Sequence, residues 1–330
     1  MSKLENRRQS MRAVKETFRR ILKSTPIDPA LERRSIRKWY QSKRQSVQTI
    51  EQAILSIQNR WSIQVEGDRA EPIFIFASGW RSGSTLLQRI VNSDPDTLLW
   101  GEPFPDSSLV QNLANSLRPF RESYPPDYNF LDSKNFSEND SPLSSRWTAN
   151  LYPNFEHLFY AHRAFFERLY AQPAKEQGCS RWGFKEVRLT MDHAIYLKWL
   201  FPKAKFLFLY RNPYKAYRSC YDWRNLYRHW PHEPIPDPET FGKYWVSQVT
   251  EFLNCFEKVD GYLIKYEELC DRTVTISQIA DYLQSDLDTE VIESRIGFSK
   301  DKEPSRSLLK RLEKVVSPVA RPLGYVLDKK

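Results

Sequence analysis

Residues 73–89 read Ile-Phe-Ile-Phe-Ala-Ser-Gly-Trp-Arg-Ser-Gly-Ser-Thr-Leu-Leu-Gln-Arg, an apolar run that ends in two glycines and a cluster of hydroxyls, then restarts as a helix. Ile73, Phe74, Ile75 and Phe76 suit a parallel strand buried on both faces, and Leu86, Leu87 and Ile90 return at helical spacing. Gly79 and Gly83 allow backbone conformations that a Cβ would hinder, so that successive N–H groups can converge on an anion at a helix N-terminus. Arg81 adds a fixed cation, and Ser84 and Thr85 add hydroxyl donors. A bare Gly-x-x-x-Gly is equally compatible with an ordinary strand-to-helix turn. The cation and hydroxyls tilt the reading toward anion binding.

Outward from this stretch, strands and helices alternate. Residues 97–100, 182–185, 205–210 and 262–266 are short apolar strands, separated by helical patterns that include 191–200, 241–256 and 276–283. Such alternation predicts an α/β fold, a P-loop-like parallel sheet flanked by helices on both faces. Residues 105–153 have little periodicity and read as an insertion that covers something, and 223–240 read as a second flap. Residues 1–65 are expected to be a basic helical arm and 66–330 the main domain. In the first 60 residues, 15 Lys and Arg stand against 5 Asp and Glu, leaving 35 against 36 in the remainder. The net charge of +9 is therefore local to the arm and does not argue for nucleic-acid binding by the main domain. Apolar residues near one face of the arm suit contact with an anionic membrane surface or packing on the main domain, and the spacing of Ile36, Tyr40, Val47, Ile50, Ile54 and Ile57 suits a helical hairpin or a homodimer contact. No apolar run is long enough for a transmembrane segment, and no secretory signal is evident, so a cytoplasmic protein is expected. Four scattered cysteines lack metal-ligand or disulfide spacing.

The strand ends carry the chemistry. Arg81, Ser84 and Thr85 follow the first strand, Glu102 the second, Lys185 ends the third, and Arg211 follows the fourth with Ser219 two helical turns on. Ligands of open α/β sheets sit outside the carboxyl ends of strands, so these groups should share one edge. Two separate anion sites suit a nucleotide with two anionic ends. A Mg-dependent kinase would instead need Gly-x-x-x-x-Gly-Lys-Ser/Thr; here the glycine spacing is shorter and Ser84 stands where the lysine would be.

These residues resemble the sulfotransferases that use 3′-phosphoadenosine 5′-phosphosulfate (PAPS), in the branch typified by tyrosylprotein sulfotransferases and bacterial relatives. Residues 80–86, Trp-Arg-Ser-Gly-Ser-Thr-Leu, are similar to that branch's Pro-Arg-Ser-Gly-Thr-Thr-Leu loop, and Asp94-Pro95, Gly101-Glu102, Arg211 with Ser219, Lys185 and Tyr266-Glu267 continue the pattern. The resemblance spans about residues 72–300. It implies that Arg81, Ser82, Gly83, Ser84 and Thr85 hold the 5′-phosphosulfate, and that Arg211 and Ser219 hold the 3′-phosphate. Tyr266, Ser299 and Lys300 would line the rest of the nucleotide site. Glu102 would be the general base, with Arg81 and Lys185 stabilising the leaving phosphate oxygen, PAP as product and no metal required. Trp80 departs from the usual proline. The secretory members' membrane anchor and cysteine pattern are also missing, which weakens a protein-tyrosine acceptor. The expected acceptor is a small-molecule hydroxyl or amine, as in natural-product tailoring. A P-loop kinase and a protein-tyrosine O-sulfotransferase stay open as alternatives, as does a catalytically silent nucleotide-binding scaffold.

Overall fold

The computed structural model describes residues 48–61, 63, 70–131, 150–221, 234–270, 274–292 and 303–328. The chain divides between Gln48 and Thr49, and the described elements belong to the unit that starts at Thr49. Strands β1 (Ile73–Ala77), β2 (Thr97–Trp100), β3 (Arg181–Glu186), β4 (Lys205–Tyr210) and β5 (Tyr262–Lys265) form one sheet in the order β2-β3-β1-β4-β5. Every neighbouring pair is parallel. Helices are α1 (Ile50–Arg60), α2 (Ser84–Val91), α3 (Leu109–Asn115), α4 (Phe155–Phe166), α5 (Met191–Leu200), α6 (Pro213–Cys220), α7 (Pro238–Cys255), α8 (Val274–Leu283) and α9 (Arg306–Ala320).

The strands sort their side chains by chemistry as well as by face. Ile73, Ile75 and Ala77 of β1 join Leu207 and Leu209 of β4 in an aliphatic layer with Leu87 and Ile90 of α2, Trp245 of α7 and Leu312 of α9. Phe74 and Phe76 point into the other layer beside Phe184, Phe206 and Phe208, under α1, α4 and α5. Their rings pack across strands, Phe74 to Phe184 at 4.8 Å, Phe74 to Phe206 at 5.5 Å and Phe76 to Phe208 at 5.4 Å between centroids. This follows from the two-residue period of a strand, which sends Ile and Phe of the same run to opposite faces. Each buried Phe is worth about 1.5–3 kcal/mol of transfer free energy, so the aromatic layer is a principal source of cohesion.

β1 lies at the centre of the sheet, with β2 and β3 on one side and β4 and β5 on the other. The strand order therefore reverses beside β1, and the crevice at the carboxyl ends of β1 and β4 is the natural ligand position.

Several boundaries differ from the sequence reading. Ile50, Ala53, Ile54 and Ile57 of α1 are fully or almost fully buried among the residues of the aromatic layer, so the part of the spacing read as a helical hairpin or dimer contact that falls on α1 marks packing within the chain, while Ile36, Tyr40 and Val47 lie outside the described residues. The compact unit thus begins inside the segment read as an arm. The membrane-surface reading of the arm rests on residues outside those described. Tyr266 opens a short helix, Tyr266–Cys270, rather than closing β5. Within the insertion read over 105–153, α3 buries Val110 and Ala114, so part of that segment is core. Most of the second flap lies outside the described residues, and α7 begins at Pro238, capped by the Asp237 side chain accepting from the Thr240 N–H. No described helix is long and apolar enough to cross a membrane.

Candidate active site

The loop after β1 starts by extending the sheet. The Ser78 N–H donates to the Leu209 carbonyl at 2.9 Å. Gly79, Arg81 and Gly83 then take positive φ angles of 111°, 62° and 96°. Alternation of left-handed residues turns backbone N–H groups toward a common centre, the geometry of an anion nest. For Arg81 this conformation costs about 1–2 kcal/mol, which glycine would avoid, so its side chain is kept against a conformational penalty. The Ser82 hydroxyl donates to the Gly79 carbonyl at 2.7 Å and braces the turn from within. Gly83 is the N-cap of α2 and supplies no side chain to its first-turn amides. An α2 N-terminus left uncapped in this way is suited to an anion.

Residues far away in sequence close over this loop. Arg81 Nε donates to Ser219 Oγ at 3.0 Å, and Arg211 Nη1 donates to the Arg81 carbonyl at 2.7 Å. The Tyr266 ring lies 4.3 Å from the Arg211 guanidinium carbon and covers Gly83, where a Cβ would come within 2.1 Å of the ring. Arg211 is fixed at its backbone by the Trp245 indole N–H, which donates to its carbonyl at 3.0 Å. Next to it, Asn212 caps α6 by accepting from the Tyr214 and Lys215 N–H groups, ahead of Pro213 in the first turn. The Asn212 N–H donates to Glu267 Oε1 at 3.1 Å, and Tyr325 donates to Glu267 Oε2 at 2.7 Å. Arg211 Nε is buried and has no hydrogen-bond partner. A buried unpaired donor costs about 1–3 kcal/mol, more when charged, and an arriving anion would relieve it.

A second cluster lies one strand over. Lys185, level with Ile75 of β1 in the sheet register, places Nζ 2.7 Å from Glu102 Oε1, which reaches in from the loop after β2. Their side chains are 9% and 20% exposed, so the pair is largely shielded from solvent. At the end of β3, Glu186 forms a deeper ion pair with Arg188 two residues on, Arg188 Nη2 to Glu186 Oε2 at 2.5 Å.

A family model described as the sulfotransferase family matches residues 72–289. The chain belongs to the sulfotransferase family. Its enzyme class is therefore a transferase of the sulfotransferase type, and the kinase alternative is not favoured. Among solved structures it is similar to sulfotransferase STF9 from Mycobacterium avium, with 15% identity over 84% of this chain and 83% of that one and a TM-score of 0.41. It is also similar to a sulfotransferase from Alicyclobacillus acidocaldarius, at 17% identity over 78% and 98% with a TM-score of 0.40. A third likeness is to mouse sulfotransferase SULT7A1 complexed with PAP, at 14% identity over 81% and 83% with a TM-score of 0.36. Comparison with curated proteins finds no match.

In this sulfotransferase the sequence-predicted residues fall into two groups. Arg81, Ser82, Gly83, Ser84, Thr85, Arg211, Ser219 and Tyr266 gather at the loop after β1, while Glu102 pairs with Lys185. Ser299 and Lys300 lie outside the described residues. Trp80, half-buried, packs against the aliphatic layer. A groove of about 750 Å³ lies beside α1 and α5, lined in part by Pro202 and Val259 near the amino ends of β4 and β5, and contains none of the predicted site residues. Sequence reasoning missed Glu186, Arg188 and Tyr325, and it named Glu267 only as part of the Tyr266-Glu267 pair. Glu186 and Arg188 carry a weak local signal, two opposite charges at i and i+2 directly after an apolar strand. Tyr325 carries none, because it meets Glu267 only through tertiary packing.

Proposed function

We propose that the enzyme transfers the sulfonyl group of PAPS to a hydroxyl or amine of a small molecule, with Arg81, Ser82, Gly83, Ser84 and Thr85 holding the 5′-phosphosulfate and Arg211 and Ser219 the 3′-phosphate. The observation that carries this reading is the convergence of Arg211, Ser219 and Tyr266 on the loop after β1, which brings two guanidinium groups, an uncapped helix N-terminus and one buried unpaired donor to the same place. Those features fit a ligand with two anionic ends. PAPS supplies the sulfonyl group and leaves PAP. Arg211, a planar fork with Nε unpaired, is matched to phosphate oxygens. Ser299 and Lys300 are proposed to complete the nucleotide site.

Glu102 is proposed to take the acceptor's proton as it attacks. Lys185 holds that carboxylate in place through their 2.7 Å contact. Once Glu102 is protonated, the ammonium loses its ionic partner and is released toward the oxygen on which negative charge grows, with Arg81 beside it. Phe104, two residues beyond Glu102 and 59% exposed, offers an aromatic face to an acceptor and supports a small, partly apolar one such as a natural product.

Adenosine 3′,5′-bisphosphate should raise the melting temperature, and transfer from labelled PAPS to a panel of alcohols, phenols and amines should persist in EDTA. Stabilisation by ATP with Mg²⁺ and none by the bisphosphate would overturn the donor assignment. Glu102→Gln should remove most turnover, on the order of 10²–10⁴-fold, while bisphosphate affinity is unchanged. Wild-type turnover in that variant would rule out Glu102 as base.

A further inference from the structure

We infer that Arg188, held by Glu186, is a positioning residue that clamps the Glu102 loop from the end of β3; the inference rests on the reading of Glu102 as the base. Glu186 Oε1 accepts from the N–H groups of Val187 and Arg188 at 2.8 and 3.1 Å and from Arg188 Nε at 2.9 Å, while Oε2 accepts from Arg188 Nη2 at 2.5 Å. Both carboxylate oxygens are thus engaged, and the guanidinium plane is fixed. Both side chains are at most 2% exposed. Such a pair is weak evidence for stability, because desolvating both charges offsets much of their attraction, and well-packed apolar residues often do as well. Its geometry does something an apolar pair could not. The remaining nitrogen, Nη1, donates to the carbonyl of Pro105.

Pro105 is three residues beyond Glu102, and the chain on either side of it is strained. Phe104 has φ 44° and ψ 70°, and Ser108 has φ 52°. Non-glycine residues persist in such conformations only when their surroundings hold them there. The Ser107 N–H and hydroxyl grip the Phe104 carbonyl from one side, at 2.8 and 2.7 Å. Arg188 grips the next carbonyl from the other. Tyr244 of α7 donates to the Val187 carbonyl at 2.8 Å and steadies the turn from which Arg188 departs. The end of β3 therefore holds the loop at two points, Lys185 at the Glu102 carboxylate and Arg188 at the Pro105 backbone. Without the second, the loop can relax, and Glu102 loses its alignment.

The test uses the full chain as Arg188→Met and as the double variant Glu186→Leu with Arg188→Met, which leaves no lone carboxylate buried if the single variant fails to fold. Hydrogen exchange of the 102–108 amides should accelerate at least about tenfold, with exchange in 79–85 and bisphosphate affinity unchanged. Turnover on an acceptor identified in the panel should fall on the order of 10²-fold, the cost of a misplaced catalytic group, with the KM for PAPS unaltered. In a Glu102→Gln background the same substitutions should cause little further loss of turnover. Arg188→Lys, which cannot reach both Glu186 and Pro105 as a fork, should lie between. Unaltered exchange at 102–108 in a folded variant, or an equal loss of turnover in the Glu102→Gln background, would overturn the clamp. Wild-type turnover in Glu102→Gln itself would instead overturn the base assignment and leave the exchange result standing, so the two failures are distinguishable.

Discussion

Gly83→Ala probes the joint between the anion loop and the residues that cover it. At φ 96° an alanine pays a left-handed backbone penalty of about 1–2 kcal/mol. Its Cβ would also lie 2.1 Å from two carbons of the Tyr266 ring, far inside van der Waals contact, so the ring must move. That ring stacks on Arg211 at 4.3 Å, a cation–π contact worth about 0.5–1 kcal/mol where partly exposed. Together these amount to about 1.5–3 kcal/mol if the loop keeps its shape. The free protein can avoid part of that by relaxing the loop, but ligand binding restores the shape and meets the cost. At about 1.4 kcal/mol per tenfold, the dissociation constant for adenosine 3′,5′-bisphosphate should rise about 10- to 100-fold by titration calorimetry. Tyr266→Ala removes the obstacle, so Gly83→Ala should cost less in that background, only the backbone share. Bisphosphate affinity within twofold of wild type in Gly83→Ala would refute the reasoning, as would strict additivity with Tyr266→Ala.

Two further outcomes are expected. Arg211→Lys should weaken the bisphosphate by about 1.5–3 kcal/mol while adenosine 5′-phosphate, lacking the 3′ group, loses much less; equal losses for the two nucleotides would mean that Arg211 does not read the 3′-phosphate. His162 is half of a buried contact with the Tyr196 hydroxyl at 2.7 Å, and desolvation holds its pKa below the ordinary value of 6.5. Below that pH the unfolded chain binds a proton that the native site disfavours, so His162 makes stability rise with pH through the window beneath 6.5 and flatten above it. Urea unfolding at about pH 5 and about pH 7.5 should give a smaller stability difference for His162→Gln than for wild type, and an unchanged difference would exclude this linkage.

How much was readable in advance depends on the range of the interaction concerned. The strand–loop–helix from Ile73 to Arg89 is decided by neighbours in the chain. Apolar runs set β1, glycines permit the left-handed turns, and helical spacing restarts at Leu86. The same holds for β4 and for Arg211 at its end, and even the division of Ile and Phe between two layers follows from alternation within β1. The spacing of Ile50, Ile54 and Ile57 was equally visible, yet its meaning was not, because an apolar stripe packs the same way on a partner as on its own chain. Only the fold decided between them.

By itself, then, the sequence determined which groups stand at strand ends and hence share the sheet's carboxyl edge, since strand direction and side-chain period are local properties. The tertiary structure alone decided which of them meet. Arg211 reaches the Arg81 carbonyl and Ser219 the Arg81 guanidinium because β4 lies beside β1, and Lys185 reaches the Glu102 carboxylate because β3 lies beside β2, an order that side-chain periodicity does not encode. Arg188 reaches Pro105 for the same reason: the loop after β2 folds back across the end of β3, and contacts between backbone carbonyls and distant guanidiniums leave no pattern in the chain.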